Sequence, residues 1–261
     1  MTTYSPFLQL PVAIANGQGP LVSLADCRPI FPTSIETDAY GHWDFGGDAV
    51  SLNSLIDGKA LTPAATAPVY NSDSIKLVDG GMNGLLTDLD DRAAMTVCLV
   101  VKLIDPGSPT SQVVFASTIT SNVPASGGSM GYLDRDAAGQ FRFTSLRRPA
   151  SGLVGSNFPV ASNTDKWAFV GFAADDASGR VVYYGTFGTS TEGSGFTKTL
   201  ASPMRKVSIG NASYSSAQYL YGPQLAEAII FTGRKTAAEM AAIAARSKTR
   251  MQRKGILLAN V

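Results

Sequence analysis

The longest regular alternation of apolar and polar positions in the chain runs from Ala94 to Ile104. Met95, Val97, Leu99, Val101 and Leu103 fall on one face, and Thr96, Cys98, Val100, Lys102 and Ile104 on the other. A period of two marks a strand, because successive side chains leave opposite sides of a pleated backbone. One wholly apolar face and one mixed face predict an inner strand of a β-sandwich. The apolar run from Val97 to Leu103 contains Lys102 and is too short to span a bilayer.

Shorter runs repeat this pattern. Ser74 to Val78 alternates and stops at Asp79-Gly80-Gly81, and Val113 to Ala116 reads as a brief strand. Tyr132 to Arg135, the turn Asp136-Ala137-Ala138-Gly139, and Phe141 to Thr144 predict a hairpin with Phe141 and Phe143 on one face. Lys166 to Ala173, the polar turn Asp175 to Gly179, and Arg180 to Gly185 predict a second hairpin. Lys206 to Gly210 and Leu225 to Phe231 add two strands, and Trp43-Asp44-Phe45 is a plausible opening strand. Asp44 to Asp48 and Asp57-Gly58-Lys59 are turn signals. Ser145 to Asp165 has little pattern, carries Gly152, Gly155 and Pro159, and reads as a long surface loop.

The two ends differ from this β pattern. Pro6, Pro11, Pro20, Pro29 and Pro32 punctuate the first 40 residues, and proline blocks both helix and central strand. An extended arm of this kind has little core of its own, so it lies along the main domain or along a neighbouring subunit. At the other end, Thr236 and Glu239 have the spacing of a capping box, in which each side chain serves the other residue's backbone N–H. Met240, Ile243 and Ala244 form a narrow apolar stripe able to dock on the sandwich. Arg246, Lys248, Arg250, Arg253 and Lys254 place cations where they favour the helix dipole. Three segments result: a proline-rich arm over 1–40, a sandwich over 41–235, and a helix with a basic tail over 236–261.

The chain of 261 residues has room for one large sandwich and an extension. With 44% hydrophobic and only 16% charged residues it has enough apolar surface to fold, which excludes a disordered chain. A net charge of +1 provides no field to gather nucleic acid or an anionic membrane, so neither partner is expected. Cys27 and Cys98 do not make a disulfide framework; Cys98 reads as a buried thiol, and their pairing is left open. Met1 to Pro6 shows neither a basic nor an apolar leader region, so no signal peptide is expected and synthesis is expected in a cytoplasm.

Candidate chemistry is sparse. His42 is the single histidine, too few for a zinc site, and no Ser-His-Asp arrangement is apparent around it. The glutamates Glu36, Glu192, Glu227 and Glu239 do not form the Glu-x-Asp-x-x-Glu pattern that two catalytic carboxylates on one strand would require. Glu227 stands in a strand where a buried or edge carboxylate is expected. There is no phosphate-cradling glycine loop; Ser126-Gly127-Gly128-Ser129 is a flexible loop. Asp88, Asp90 and Asp91, and the pair Asp175-Asp176, lack EF-hand spacing and read as solvated turn carboxylates, so no metal or other cofactor is expected. The polar run Asn211 to Gly222 is different. Tyr214, Tyr219 and Tyr221 stand there beside Asn211 and Gln218, and rings next to small polar groups suit sugar stacking with hydrogen bonds. The same composition suits an ordinary loop or a subunit contact.

Trp167, Gly179, Tyr184-Gly185, Ile209-Gly210, Glu227-Ala228-Ile229 and Thr236 to Glu239 occur in an order that resembles the second half of a concanavalin A-like, laminin-G-type jelly-roll domain. The resemblance covers roughly residues 160–245. It implies an all-β jelly-roll sandwich of two antiparallel sheets, acting as a binding or structural module. Members that use calcium hold it with acidic groups at one rim of the sandwich. Richness in Ala, Gly, Ser and Thr, with a proline-rich arm joined to a lectin-like sandwich, resembles structural proteins of tailed-bacteriophage virions. That likeness implies a non-enzymatic protein of a tail, tail fibre, collar or capsid, located in the virion. Its arm and tail would dock it to other virion proteins and to copies of itself. The alternative is a carbohydrate-binding module or host-surface adhesin whose partner is a host-surface glycan, with Asn211, Tyr214, Gln218, Tyr219 and Tyr221 as its candidate residues.

Overall fold

The computed structural model describes residues 34–56, 58–105, 107, 111–119, 127–147, 154–159, 165–175, 179–183, 185, 189–192, 200–214 and 220–261. Contacts divide the chain into two units, Met1–Ser34 and Ile35–Val261. The predicted extended course of residues 1–33 lies outside the described residues. Residues 35–40, assigned to the arm from sequence, belong to the second unit, where Glu36 and Ala39 are buried. Tyr40 there donates its N–H to the Ile230 carbonyl at 2.8 Å.

The second unit holds two sheets whose strand ladders are all antiparallel. The first has eight strands. In spatial order they are β13 (Thr189–Glu192), β12 (Gly179–Tyr183), β11 (Trp167–Asp175), β6 (Met95–Lys102), β15 (Gln224–Phe231), β4 (Ile75–Lys76) and β3 (Val69–Tyr70), with β1 (Gly41–Asp44) also paired to β15. The second has seven: β10 (Val154–Pro159), β9 (Phe141–Arg147), β8 (Ser129–Arg135), β7 (Val113–Ser117), β14 (Lys206–Ile209), β5 (Leu85–Asp90) and β2 (Thr62–Pro63). One helix, α1 (Ala237–Arg253), follows β15.

The alternation in β6 explains its place. Val97, Leu99 and Val101 share one core with Phe115, Leu133, Phe143, Val207 and Ile209 of the second sheet. This is the sandwich interior expected from facing apolar strand faces. Cys98 and Val100 point the other way, into a second cluster with Phe169, Ile229, Met240, Ile243, Ala244 and Met251. The mixed face of β6 is therefore covered too, by α1. The expected stripe Met240, Ile243 and Ala244 is the docking surface. Gly171 on β11 makes the close approach possible: a Cβ there would stand 2.6 Å from the Met240 sulfur. The capping box is present, with the Glu239 N–H donating to Thr236 Oγ1 at 3.3 Å and the Thr236 N–H to Glu239 Oε2 at 2.7 Å.

Beyond α1 the chain turns back along β11. Ala259 N–H donates to the Trp167 carbonyl at 2.8 Å. The Asn260 amide clamps the Phe169 backbone, accepting its N–H at 2.9 Å and donating to its carbonyl at 2.8 Å. Gly185 lies under this segment at φ +55°, and a Cβ would fall 1.7 Å from the Asn260 carbonyl oxygen. Only glycine fits such a position.

Several expectations change. The segment expected as a loop over 145–165 contains the end of β9 and all of β10. β5 was read as turn because of its acids. Leu85, Thr87 and Leu89 are in fact buried on one face, while Asp88 and Asp90 are exposed on the other. Asp91 is not a solvated turn carboxylate but a buried tie. It accepts from Thr118 Oγ1 at 2.9 Å and from the Ala201 N–H at 2.9 Å. Ser74 to Val78 narrows to the two residues of β4, and Ala49–Leu52 forms a short 3-10 turn capped by Asp48. Cys98 is a buried free thiol, while Cys27 lies outside the described residues.

Candidate functional site

At one rim of the sandwich the segment after β4 is stitched to the segment before β15. Leu77 N–H donates to the Pro223 carbonyl at 3.0 Å and Gly80 N–H to the Leu220 carbonyl at 2.8 Å. Asp79 Oδ1 accepts from the Gly222 N–H and from Lys76 Nζ, both at 2.8 Å. Gly80, Gly81 and Met82 follow one another at positive φ. Left-handed backbone is strained for a residue with a Cβ such as Met82, and strain of this kind clusters at functional sites. Asn83 braces the loop, its Nδ2 donating to the Val78 carbonyl at 3.1 Å and the Asp79 carbonyl at 3.3 Å.

This rim presents apolar groups to solvent. Tyr221 is 37% exposed, Leu220 40% and Met82 43%. They stand around a pit of about 10 Å³ whose walls include Leu77, Val78, Asn83, Asn211 and Pro223. Of the five residues expected to bind a glycan, Tyr221 and Asn211 meet here. Asn211 is buried, and its side chain shapes the turn by accepting the Tyr214 N–H at 2.9 Å and donating to the Tyr214 carbonyl at 2.8 Å. Tyr214 is buried in a separate cluster with Val114, Ile119, Met130 and Tyr132, so its ring is not offered to solvent. Gln218 and Tyr219 lie outside the described residues. Met82 and Asn83 were missed in the sequence because Asp79-Gly80-Gly81 reads only as a strand stop.

A second polar cluster stands on the β8–β9 hairpin. Tyr132 is directly opposite Thr144, and Asp134 opposite Arg142. Arg142 grips Asp134 with Nε at 3.1 Å and Nη2 at 2.9 Å. Burial pushes the Asp134 carboxyl up, against the pull of Arg142 and Thr144. Burial, with the charge of Asp134, pushes the Tyr132 phenol up to about 12. Each charge answers the other, so this pair locks the hairpin.

The third cluster lies beneath α1 and joins four parts of the chain. Glu227 of β15 accepts from His42 Nε2 of β1 at 3.1 Å, and also from Ser247 Oγ and Arg250 Nε of α1. Glu36 accepts from Arg246 Nε at 2.8 Å, Arg246 Nη2 at 2.6 Å and Arg250 Nη1 at 3.2 Å. Its own N–H donates to His42 Nδ1 at 3.2 Å, which places the ring proton on Nε2, facing Glu227. Burial pushes the Glu227 carboxyl up, but His42 and Arg250 more than offset it and hold it at about 2. Glu36, His42, Glu227 and Arg250 are all buried and only Arg246 reaches solvent, so the centre of the network is closed off and acts as a structural tie. Three of the five cations expected to contact neighbouring subunits have partners within the domain. Arg246 and Arg250 face Glu36, and Lys254 pairs with Asp44.

Among the described residues no helix is long and apolar enough to cross a membrane, and no group of three or more His, Cys, Asp or Glu is arranged to hold a metal ion.

No protein-family model matches the chain, and no curated protein matches it in sequence. Solved structures do match in fold. The botulinum neurotoxin serotype G binding domain superposes with a TM-score of 0.57 at 11% identity, over 81% of this chain and 51% of that one. The chain thus spans about half the length of that toxin domain. The CBM40 domain of the Ruminococcus gnavus IT-sialidase, solved bound to α2,3-sialyllactose, gives 0.51 at 12% identity, over 68% of this chain and 99% of that domain. A Trypanosoma rangeli sialidase gives 0.54 at 12% identity, over 85% of this chain and 36% of that one. What the chain shares with these proteins is its fold, an all-β jelly-roll sandwich; in this chain the two sheets are antiparallel and one C-terminal helix follows them.

Proposed function

We propose that this chain is a non-catalytic carbohydrate-binding module that takes its glycan at the rim around Tyr221. The observation that carries the reading is the exposed Tyr221 ring, set beside Leu220 and Met82 on a hydrogen-bonded and locally strained loop. A partly exposed aromatic next to fixed amide groups is the usual means of holding a sugar ring, one face stacked and its edge hydrogen-bonded. Support from the fold is independent of this: one neighbour that the chain matches over nearly its whole length is a CBM40 domain solved with a sialylated trisaccharide. The virion role drawn from the sequence rests on composition, on the arm and on the basic C-terminal end, and three of the five cations of that end, Arg246, Arg250 and Lys254, are engaged within the domain. Glycan binding is therefore the reading advanced.

A glycan microarray probed with the full chain tests this. Binding to at least one glycan class is expected, with no hydrolysis of the retained sugar. Tyr221→Ala should weaken that binding at least tenfold, about 1.4 kcal/mol, while the melting temperature stays unchanged because the ring is part-exposed. Undiminished binding by Tyr221→Ala would move the site elsewhere.

A further inference from the structure

We propose that the rim selects a neutral 2-acetamido sugar, a hexose whose 2-position carries an N-acetyl group. The proposal rests on the glycan-binding reading above and names the ligand chemistry of the same site.

Charge is the first argument. None of the residues lining the pit is charged. Lys76, the cation paired with Asp79 at this rim, has its ammonium committed to Asp79 Oδ1 and the Gly222 carbonyl. The Asp79 side chain is 60% exposed at the edge of the rim. Burial opposes its ionisation, but the Lys76 ammonium and the Gly222 N–H hold the carboxyl below its ordinary value. An acidic sugar would therefore meet a carboxylate at the edge of the rim and, among the described residues lining the pit, no cation. A neutral sugar meets a hydroxyl acceptor.

Shape is the second. A pit of about 10 Å³ is close to the smallest space that admits one water-sized group. Leu77, Val78, Leu220 and Pro223 give it apolar walls. Against those apolar walls a methyl group is favoured over a hydroxyl by polarity and not by size, since a hydroxyl pressed there would lose hydrogen bonds to water.

Hydrogen-bond capacity is the third. The Asn83 Nδ2 already serves two carbonyls, Val78 and Asp79, which fixes the orientation of the amide. The oxygen Oδ1 accepts no hydrogen bond from the described residues, and Asn83 itself lines the pit. An acetamido group supplies both complements at once, an N–H for Asn83 Oδ1 and a methyl for the pit. A plain hexose supplies only the first, through a hydroxyl.

The test is calorimetric titration of the full chain with the methyl glycosides of N-acetylglucosamine, N-acetylgalactosamine, glucose and galactose, and with lactose and 3′-sialyllactose. At least one acetamido sugar should bind tenfold or more tightly than its parent hexose, and sialyllactose no more tightly than lactose. Equal affinity for acetamido and parent sugars, or tighter binding of sialyllactose than of lactose, overturns the ligand assignment and leaves glycan binding standing. No binding to any of these, nor to any glycan on an array, overturns both. Asn83→Ala should erase the acetamido preference, whereas Tyr221→Ala should weaken acetamido and parent sugars alike. Because Asn83 also braces its loop, the comparison of ligands on the unaltered protein decides the matter.

Discussion

Replacing Arg250 by methionine would test the account of the buried network most severely. The substitution keeps a long apolar stem and removes the one cation that touches both Glu227 and Glu36. All three side chains are buried, so no water replaces the lost partner. Removing one member of a buried ion pair costs about 3–5 kcal/mol, because a charge is stranded in a poor dielectric. For a domain of this size each kcal/mol lowers the melting temperature by about 2–4 °C, so a fall of about 6–20 °C is expected. Arg246 still serves Glu36, and His42 and Ser247 still serve Glu227, which argues for the lower half of that range.

The pH dependence supplies a sharper criterion. Glu227 stands at about 2 in the fold against an ordinary 4.5. Its folded value is depressed, so its contribution is present in full above about pH 5 and is lost as pH falls through 4.5 toward 2. The gap corresponds to about 3 kcal/mol. Without Arg250 part of what offsets burial is gone, and the Glu227 carboxyl rises from its value in the parent while His42 still holds it down. Protonation then relieves the variant, so the stability gap between Arg250→Met and the parent should narrow from pH 7 to pH 4. Urea denaturation followed by circular dichroism at each pH measures it. The double change Glu227→Gln with Arg250→Met removes both charges of that pair and should recover part of the loss. A variant within 1 kcal/mol of the parent at pH 7, or a gap that is constant down to pH 4, would refute the reasoning.

Two further expectations concern the C-terminal segment and the thiol. Asn260→Ala leaves the buried Phe169 N–H and carbonyl without their side-chain partner, which should cost about 2–4 kcal/mol in urea denaturation; a cost below 0.5 kcal/mol would show that the clamp is dispensable. Cys98 is buried, and burial, with Glu227 and Glu36 nearby, pushes its thiol well above its ordinary value. In a Cys27→Ser background a thiol-specific dye should therefore label the chain only at denaturant concentrations that unfold it. Labelling of the native protein within minutes would contradict the covered face of β6.

The sequence carried the sheets better than it carried the surfaces. Alternation in β6, the hairpin β8–β9 and the strands β11, β12, β14 and β15 was legible because each strand has at least one face that must be apolar. The capping box and its stripe were legible because Thr236, Glu239, Met240 and Ile243 act over one or two turns of chain. What failed was chemistry that needs a distant partner. Asp91 reads as a solvated acid until Thr118 and the Ala201 N–H are brought to it. Glu227 is an isolated acid in an apolar strand until α1 lays Ser247 and Arg250 over it. β5 was hidden because its outer face carries Asp88 and Asp90, the residues that usually mark turns. The rim was half legible. Tyr221 and Asn211 announced themselves as an aromatic and an amide in a polar run. Asn83 lies 128 positions before Asn211 in the chain, and only the pairing of Gly84 N–H with the Asn211 carbonyl joins them.

Hydrogen–deuterium exchange on the full chain, with and without a saturating glycan retained on the array, tests the central claim most directly. The account predicts slowed exchange confined to residues 77–84 and 220–223, with the β8–β9 hairpin and α1 unchanged. Protection centred on that hairpin, or no protection at the rim, would contradict it.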